Sequence, residues 1–139
     1  MNDETERNAH AIGNARAWAA NIASAIAALE ALEDGEERAE FDGEEFTDAD
    51  ELRQRIEEMP LAIAVRDGWR SPGEERADPE EFEILLSTGG PALRIFGDIG
   101  GAHSLQWQDW FTPWTDFHET TTEQDEAIER FVGLFWFGE

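Results

Sequence analysis

Three histidines, His10, His103 and His118, are the first residues of this 139-residue chain to weigh as catalysts or metal ligands. His103, Asp109, Asp116 and His118 together offer donor types that suit a transition metal. No pair of them stands at helical ligand spacing, and with 33 Asp and Glu in the chain a nearby carboxylate distinguishes little. His10 falls in the first turns of a helix, where a solvated imidazole is expected. Ser71, Ser87 and Ser104 lack the G-x-S-x-G context of a nucleophile elbow. The pairs Gly89-Gly90 and Gly100-Gly101 separate strand-like segments and do not open a helix, so they build no phosphate cradle. Asp42 to Asp50 lacks the glycine and closing glutamate of a calcium loop. Cysteine is absent, which removes thiol nucleophiles, disulfides and thiolate metal sites. The expectation is a non-enzymatic protein with no catalytic residue, no metal and no cofactor.

The carboxylates offer a different chemistry. The formal net charge is −23, and all ten basic residues are arginine. A small domain needs a net charge of only about 2 to 8 for solubility, and an excess of this size works against a compact state. Residues 30 to 58 carry fourteen acids against three arginines. The stretch from Glu74 to Glu83 adds six against Arg76. Duplex DNA presents one charge per ~1.7 Å of axis, and a folded surface with closely spaced carboxylates approximates that field. The expected partner-binding residues are Glu36, Glu37, Glu40, Asp42, Glu44, Glu45, Asp48, Asp50 and Glu51, together with Glu74, Glu75, Asp78, Glu80 and Glu81. Their partner would be a basic nucleic-acid-binding protein or complex. Direct contact with nucleic acid or an anionic membrane is disfavoured by the same charge. The competing explanation is adaptation to high salt, where ~1 M electrolyte screens self-repulsion within ~3 Å. Absent lysine and abundant Asp and Glu fit that reading as well.

These side chains need elements to position them. From about Thr5 to Asp34, Ile12, Ala15, Ala19, Ile22, Ile26 and Leu29 recur at three-four spacing, which predicts one long helix capped by Gly35. Its stripe of small and branched residues reads first as core and second as a seam for a homodimer. Residues 35–47 read as an acidic loop, and Thr47 as the N-cap of a short helix ending before Pro60. Period-two alternation then takes over in Leu61–Arg66, Glu81–Ser87, Ala92–Gly97 and His103–Trp110. Thr120-Thr121-Thr122 caps a last helix with Ala127, Ile128, Phe131, Val132, Phe135 and Trp136 on its apolar face. Trp107, Trp110, Trp114, Phe111 and Phe117 form an aromatic cluster that reads as core, and as a partner anchor second.

The expected fold is α+β: an antiparallel meander of three to four strands with a long N-terminal helix, a short second helix and a C-terminal helix. It is read as one domain over 1–139, with the long helix in 1–34, the acidic loop and short helix in 35–59, the sheet in 60–111 and the last helix in 120–137. The acidic N-terminus has no signal-peptide pattern and no apolar run approaches ~18 residues, so a cytoplasmic location is expected.

Three motifs resemble a family of small acidic proteins carried by bacterial plasmids, phages and integrated elements. They are Trp69-Arg70-Ser71-Pro72-Gly73-Glu74, then Glu83-Ile84-Leu85-Leu86-Ser87-Thr88-Gly89-Gly90-Pro91-Ala92-Leu93-Arg94-Ile95, then Gln108-Asp109-Trp110-Phe111-Thr112-Pro113-Trp114. The resemblance covers roughly residues 60 to 137 and carries over no catalytic residue. It implies a setting in which acidic accessory proteins act as anti-CRISPR or anti-restriction factors, several of them DNA mimics.

Overall fold

The computed structural model describes residues 3–75, 78–88, 91–109 and 112–138. Within them the chain is α+β, with three helices and two antiparallel sheets. Its contacts cluster into two compact units. The first comprises 1–15, 60–118 and 136–139, the second 16–59 and 119–135. Helix α1, Asp3–Glu33, contributes its first turns to one unit and the remainder to the other. Among the described residues no helix is long and apolar enough to cross a membrane.

The first unit is built on strands β3 (Ala62–Arg66), β4 (Glu81–Ser87), β5 (Ala92–Asp98), β6 (His103–Gln108) and β7 (Thr115–Asp116), paired antiparallel in that order. Alternation does what it should: Phe82, Ile84 and Leu86 on β4, Leu93 and Ile95 on β5, and Leu105 and Trp107 on β6 are all buried on one face. Each such side chain contributes about 1.5–3 kcal/mol by leaving water. Phe137 closes this face by stacking on Phe82, with ring centroids 4.6 Å apart. At the start of α1, Ala11 and Ala15 are buried, and the Asn14 amide donates to Ser87 Oγ at 3.1 Å. Gly97 faces His103 across the ladder, and a Cβ there would lie 2.3 Å from the Ala102 carbonyl oxygen. No larger residue fits without moving backbone.

The second unit joins the rest of α1 to strands β1 (Ala39–Phe41) and β2 (Glu44–Phe46) and to helices α2 (Ala49–Glu57) and α3 (Thr122–Gly133). Ala19, Ile22, Ile26 and Leu29 of α1 are buried here, as the three-four spacing requires, with Phe41, Phe46, Leu52, Ile56, Ile128 and Phe131. Helix α1 ends where expected. Gly35 N–H donates to the Leu32 carbonyl and Glu36 N–H to the Ala31 carbonyl, the paired bonds of a Schellman motif. Thr121 caps α3 through a complete capping box with Gln124.

Several details differ from the sequence-based expectation. The 35–47 stretch contains a β-hairpin where a loop was expected. The N-cap of α2 is Asp48, whose carboxylate accepts from Asp50 N–H at 2.9 Å, so Thr47 lies one residue too early. The larger sheet has five strands, because Thr115–Asp116 returns to pair with β6 after the Pro113 turn. The Gly89-Gly90 turn, Trp110 and Phe111 lie outside the described residues.

Candidate functional site

The acidic surface of the second unit starts from a tight turn. Asp42 and Gly43 both have positive φ, 56° and 75°, which is what a two-residue type I′ hairpin demands of its central positions. The strands it joins pair Phe41 with Glu44 and Glu40 with Glu45. Phe41 and Phe46 turn inward and are buried, which puts Glu40 and Glu45 on the opposite face, while Glu44, paired with Phe41, is exposed beside the turn. Glu40 and Glu45 are like charges directly opposed across a ladder, a destabilising arrangement. Helix α2 follows with Asp48 at its cap and Asp50 and Glu51 in its first turn, where the helix dipole favours acids. Leu52 and Ile56 anchor the opposite side.

Arginine neutralises only part of this surface. Arg55 pairs with Asp42 at 2.9 Å, Arg53 with Asp50 at 2.9 Å and Glu33 at 3.0 Å, and Arg38 with Glu45 at 3.5 Å. Arg130 reaches Glu33 from α3 at 2.8 Å. Elsewhere Arg16, Arg66, Arg70 and Arg94 each lie within 4.0 Å of a carboxylate. These eight arginines are thus set beside internal carboxylates. Glu36, Glu37, Glu40, Glu44 and Glu51 make no ion pair among the described residues and are exposed.

The remaining candidate carboxylates belong to the first unit. Glu74, Glu75 and Asp78 are exposed in the connection between β3 and β4. Glu80 passes over Gly68, where an added Cβ would sit 2.5 Å from its carboxylate oxygen. Glu81 lies on β4 opposite Arg66 and accepts from its Nε at 2.7 Å. That hydrogen bond holds the Glu81 carboxyl below the ordinary glutamate range and raises Arg66 above its own. The fourteen carboxylates expected at one site are therefore divided between the two units.

The outer face of the larger sheet carries a polar row that the sequence reading missed. Arg94 donates to Glu83 at 2.7 Å and to Gln106 at 2.9 Å, and Gln106 donates to Asp116 at 2.8 Å. Its guanidinium lies 4.3 Å from the Phe96 ring centre and 4.2 Å from that of Trp114. Glu81 and Glu83 on β4, Arg94 on β5, and Ser104, Gln106 and Gln108 on β6, each at an alternate position, were the available signal. Of the aromatic cluster, Trp107 and Phe117 are buried and Trp114 is half-buried against Arg94. Trp69, from the first motif of the resemblance, is fully exposed.

His103 opens β6, while His118 is exposed beyond β7. Asp109 is buried at a turn, where its N–H donates to Thr112 Oγ1 at 3.1 Å. Among the described residues no three His, Asp or Glu side chains converge as metal ligands. Comparison with family models, curated proteins and solved structures returns no match to this chain.

Proposed function

We propose that this protein is a non-enzymatic inhibitor whose carboxylates occupy the basic groove of a nucleic-acid-binding complex in place of phosphates. The carrying observation is the hairpin and its flanks, where Glu36, Glu37, Glu40 and Glu44 stand exposed with no arginine partner among the described residues while Arg38, Arg53 and Arg55 are engaged by other carboxylates. Keeping Glu40 opposite Glu45 costs stability, which fits a surface shaped for a partner. Association of this kind is fast, steered and weakened by salt. The resemblance to acidic proteins of mobile elements directs the search to CRISPR effectors first and restriction enzymes second.

The test is competition for labelled DNA bound to purified effector and restriction complexes at ~0.1 M salt, where the Debye length is ~10 Å. Displacement should fade as salt rises and should vanish in a variant combining Glu36→Lys, Glu37→Lys, Glu40→Lys, Glu44→Lys and Glu45→Lys. Full inhibition by a folded quintuple variant would remove the hairpin from the contact surface. A second reading, an acidic protein of a salt-adapted cell with no inhibitory role, is favoured by the spread of exposed acids onto α3 at Glu123, Asp125, Glu126 and Glu129. Its signature is failure to displace DNA from any complex, together with folding only near molar salt.

A further inference from the structure

Strand β3 is the open edge of the five-stranded sheet, and its apolar face is only partly covered. Leu61, Ile63 and Val65 share the face of Phe82, Ile84 and Leu86, since Ile63 pairs with Ile84 and Val65 with Phe82. The β4 residues are buried, whereas Ile63 is 41% and Val65 44% exposed. Trp69 follows a few residues beyond β3. Trp136, also exposed, precedes the Phe137 that stacks on Phe82, the residue facing Val65. Every exposed large hydrophobic residue among the described residues belongs to this unit.

Edge strands ordinarily protect themselves with inward charges, proline or a bulge. Ala62–Arg66 has none of these in its interior, and its one charge, on Arg66, is drawn along the sheet to Glu81 at 2.7 Å. Alternate backbone groups of β3 point away from β4, where no further strand of the described residues pairs. The other edge is shorter, closed by the two residues of β7.

We propose that the β3 edge receives an extended segment of a partner protein by strand addition. The segment is apolar at alternate positions and carries Lys or Arg at the end lying beside Arg66. Main-chain hydrogen bonds would supply affinity, and Leu61, Ile63 and Val65 the side-chain selectivity. Trp69 is placed as an aromatic anchor of the kind that dominates interface energies. Charge selects the occupant. From residue 66 to 81 the chain has six carboxylates against three arginines, so the Arg66 end of the edge is acidic and favours a basic flank. A second copy would bring the same acidic flank and a net charge of −23 to a contact of two five-residue strands. Such a contact falls well short of the ~1,200 Å² at which stable interfaces begin. The inference adds to the inhibitor reading but rests on the β3 edge and not on the hairpin, so either can fail alone.

The probe is a synthetic peptide with two lysines followed by alternating valine and threonine, measured against the full chain by NMR and amide exchange. Binding should slow exchange at outward amides within Ala62–Arg66. Affinity should drop at least about tenfold with Ile63→Thr plus Val65→Thr, and again with Trp69→Ala. A peptide of equal charge, N-methylated at alternate backbone nitrogens, should not bind. Equal binding by the methylated peptide, or perturbations gathered at 36–51, would overturn the proposal by showing charge attraction alone. A dimer of the free protein at neutral pH that Ile63→Thr plus Val65→Thr disperses would overturn it too, assigning the edge to a second copy. The charge-reversed hairpin variant should still bind the peptide, which separates this result from the DNA competition.

Discussion

At Arg94 a single guanidinium lies between two aromatic rings and bridges three strands. It stacks on Phe96 and Trp114 while donating to Glu83 and Gln106. Lysine keeps the charge but lacks the planar fork that makes both donations and both stacks. Arg94→Lys should lower unfolding free energy by about 1–2 kcal/mol in urea titration. Loss of under a few tenths would mean the row is decorative. Glu81 offers a readout by pH. Its carboxyl is held below the ordinary range by the Arg66 hydrogen bond. The folded group keeps its charge to lower pH than the unfolded one, so the pair adds stability above the usual glutamate range. That stability is lost as pH falls through the folded value. Following the Glu81 side-chain carbon by NMR should show protonation at lower pH than an ordinary glutamate, returned to the ordinary range by Arg66→Ala, with little change in stability at neutral pH because Arg66 is largely exposed.

Elements differ in how openly the sequence announces them. Helix α1 and strands β4, β5 and β6 were legible because each buries one face, so its apolar residues fall at the element's own period. The β1–β2 hairpin was not, because Glu36 through Glu45 obscured two short Phe-containing strands around an Asp-Gly turn. That dipeptide between Glu-Phe repeats was the signal to heed. Strand β3 was legible as a strand yet not as an edge, since alternation says which residues share a face and nothing about whether that face is covered. Only the pairing order supplied that. The candidate carboxylates were legible as a class, but sequence adjacency gives no hint that Arg55 reaches Asp42 or that Arg130 reaches Glu33 across most of the chain. The hairpin also yields a trade-off to measure. Glu40→Arg places an opposite charge across from Glu45 and should stabilise the fold by about 0.2–1 kcal/mol. The same substitution should weaken displacement of DNA. A variant both more stable and equally inhibitory would detach Glu40 from function.

Over the whole molecule, the net charge of −23 and the bare β3 edge bear on each other. An exposed strand with partly covered Ile63 and Val65 is a template for stacking of identical chains. At neutral pH, mutual repulsion keeps copies apart, so the carboxylates serve as a colloidal guard for an edge that has none of its own. That guard is removable. Near the isoelectric point of about 4.2 the repulsion disappears while the edge remains. Light scattering should therefore rise sharply as pH is lowered toward that value, and the Ile63→Thr plus Val65→Thr variant should stay clear for longer. A cell compartment or purification step that passes through mild acid would convert this protein from a dispersed solute into a self-templating one.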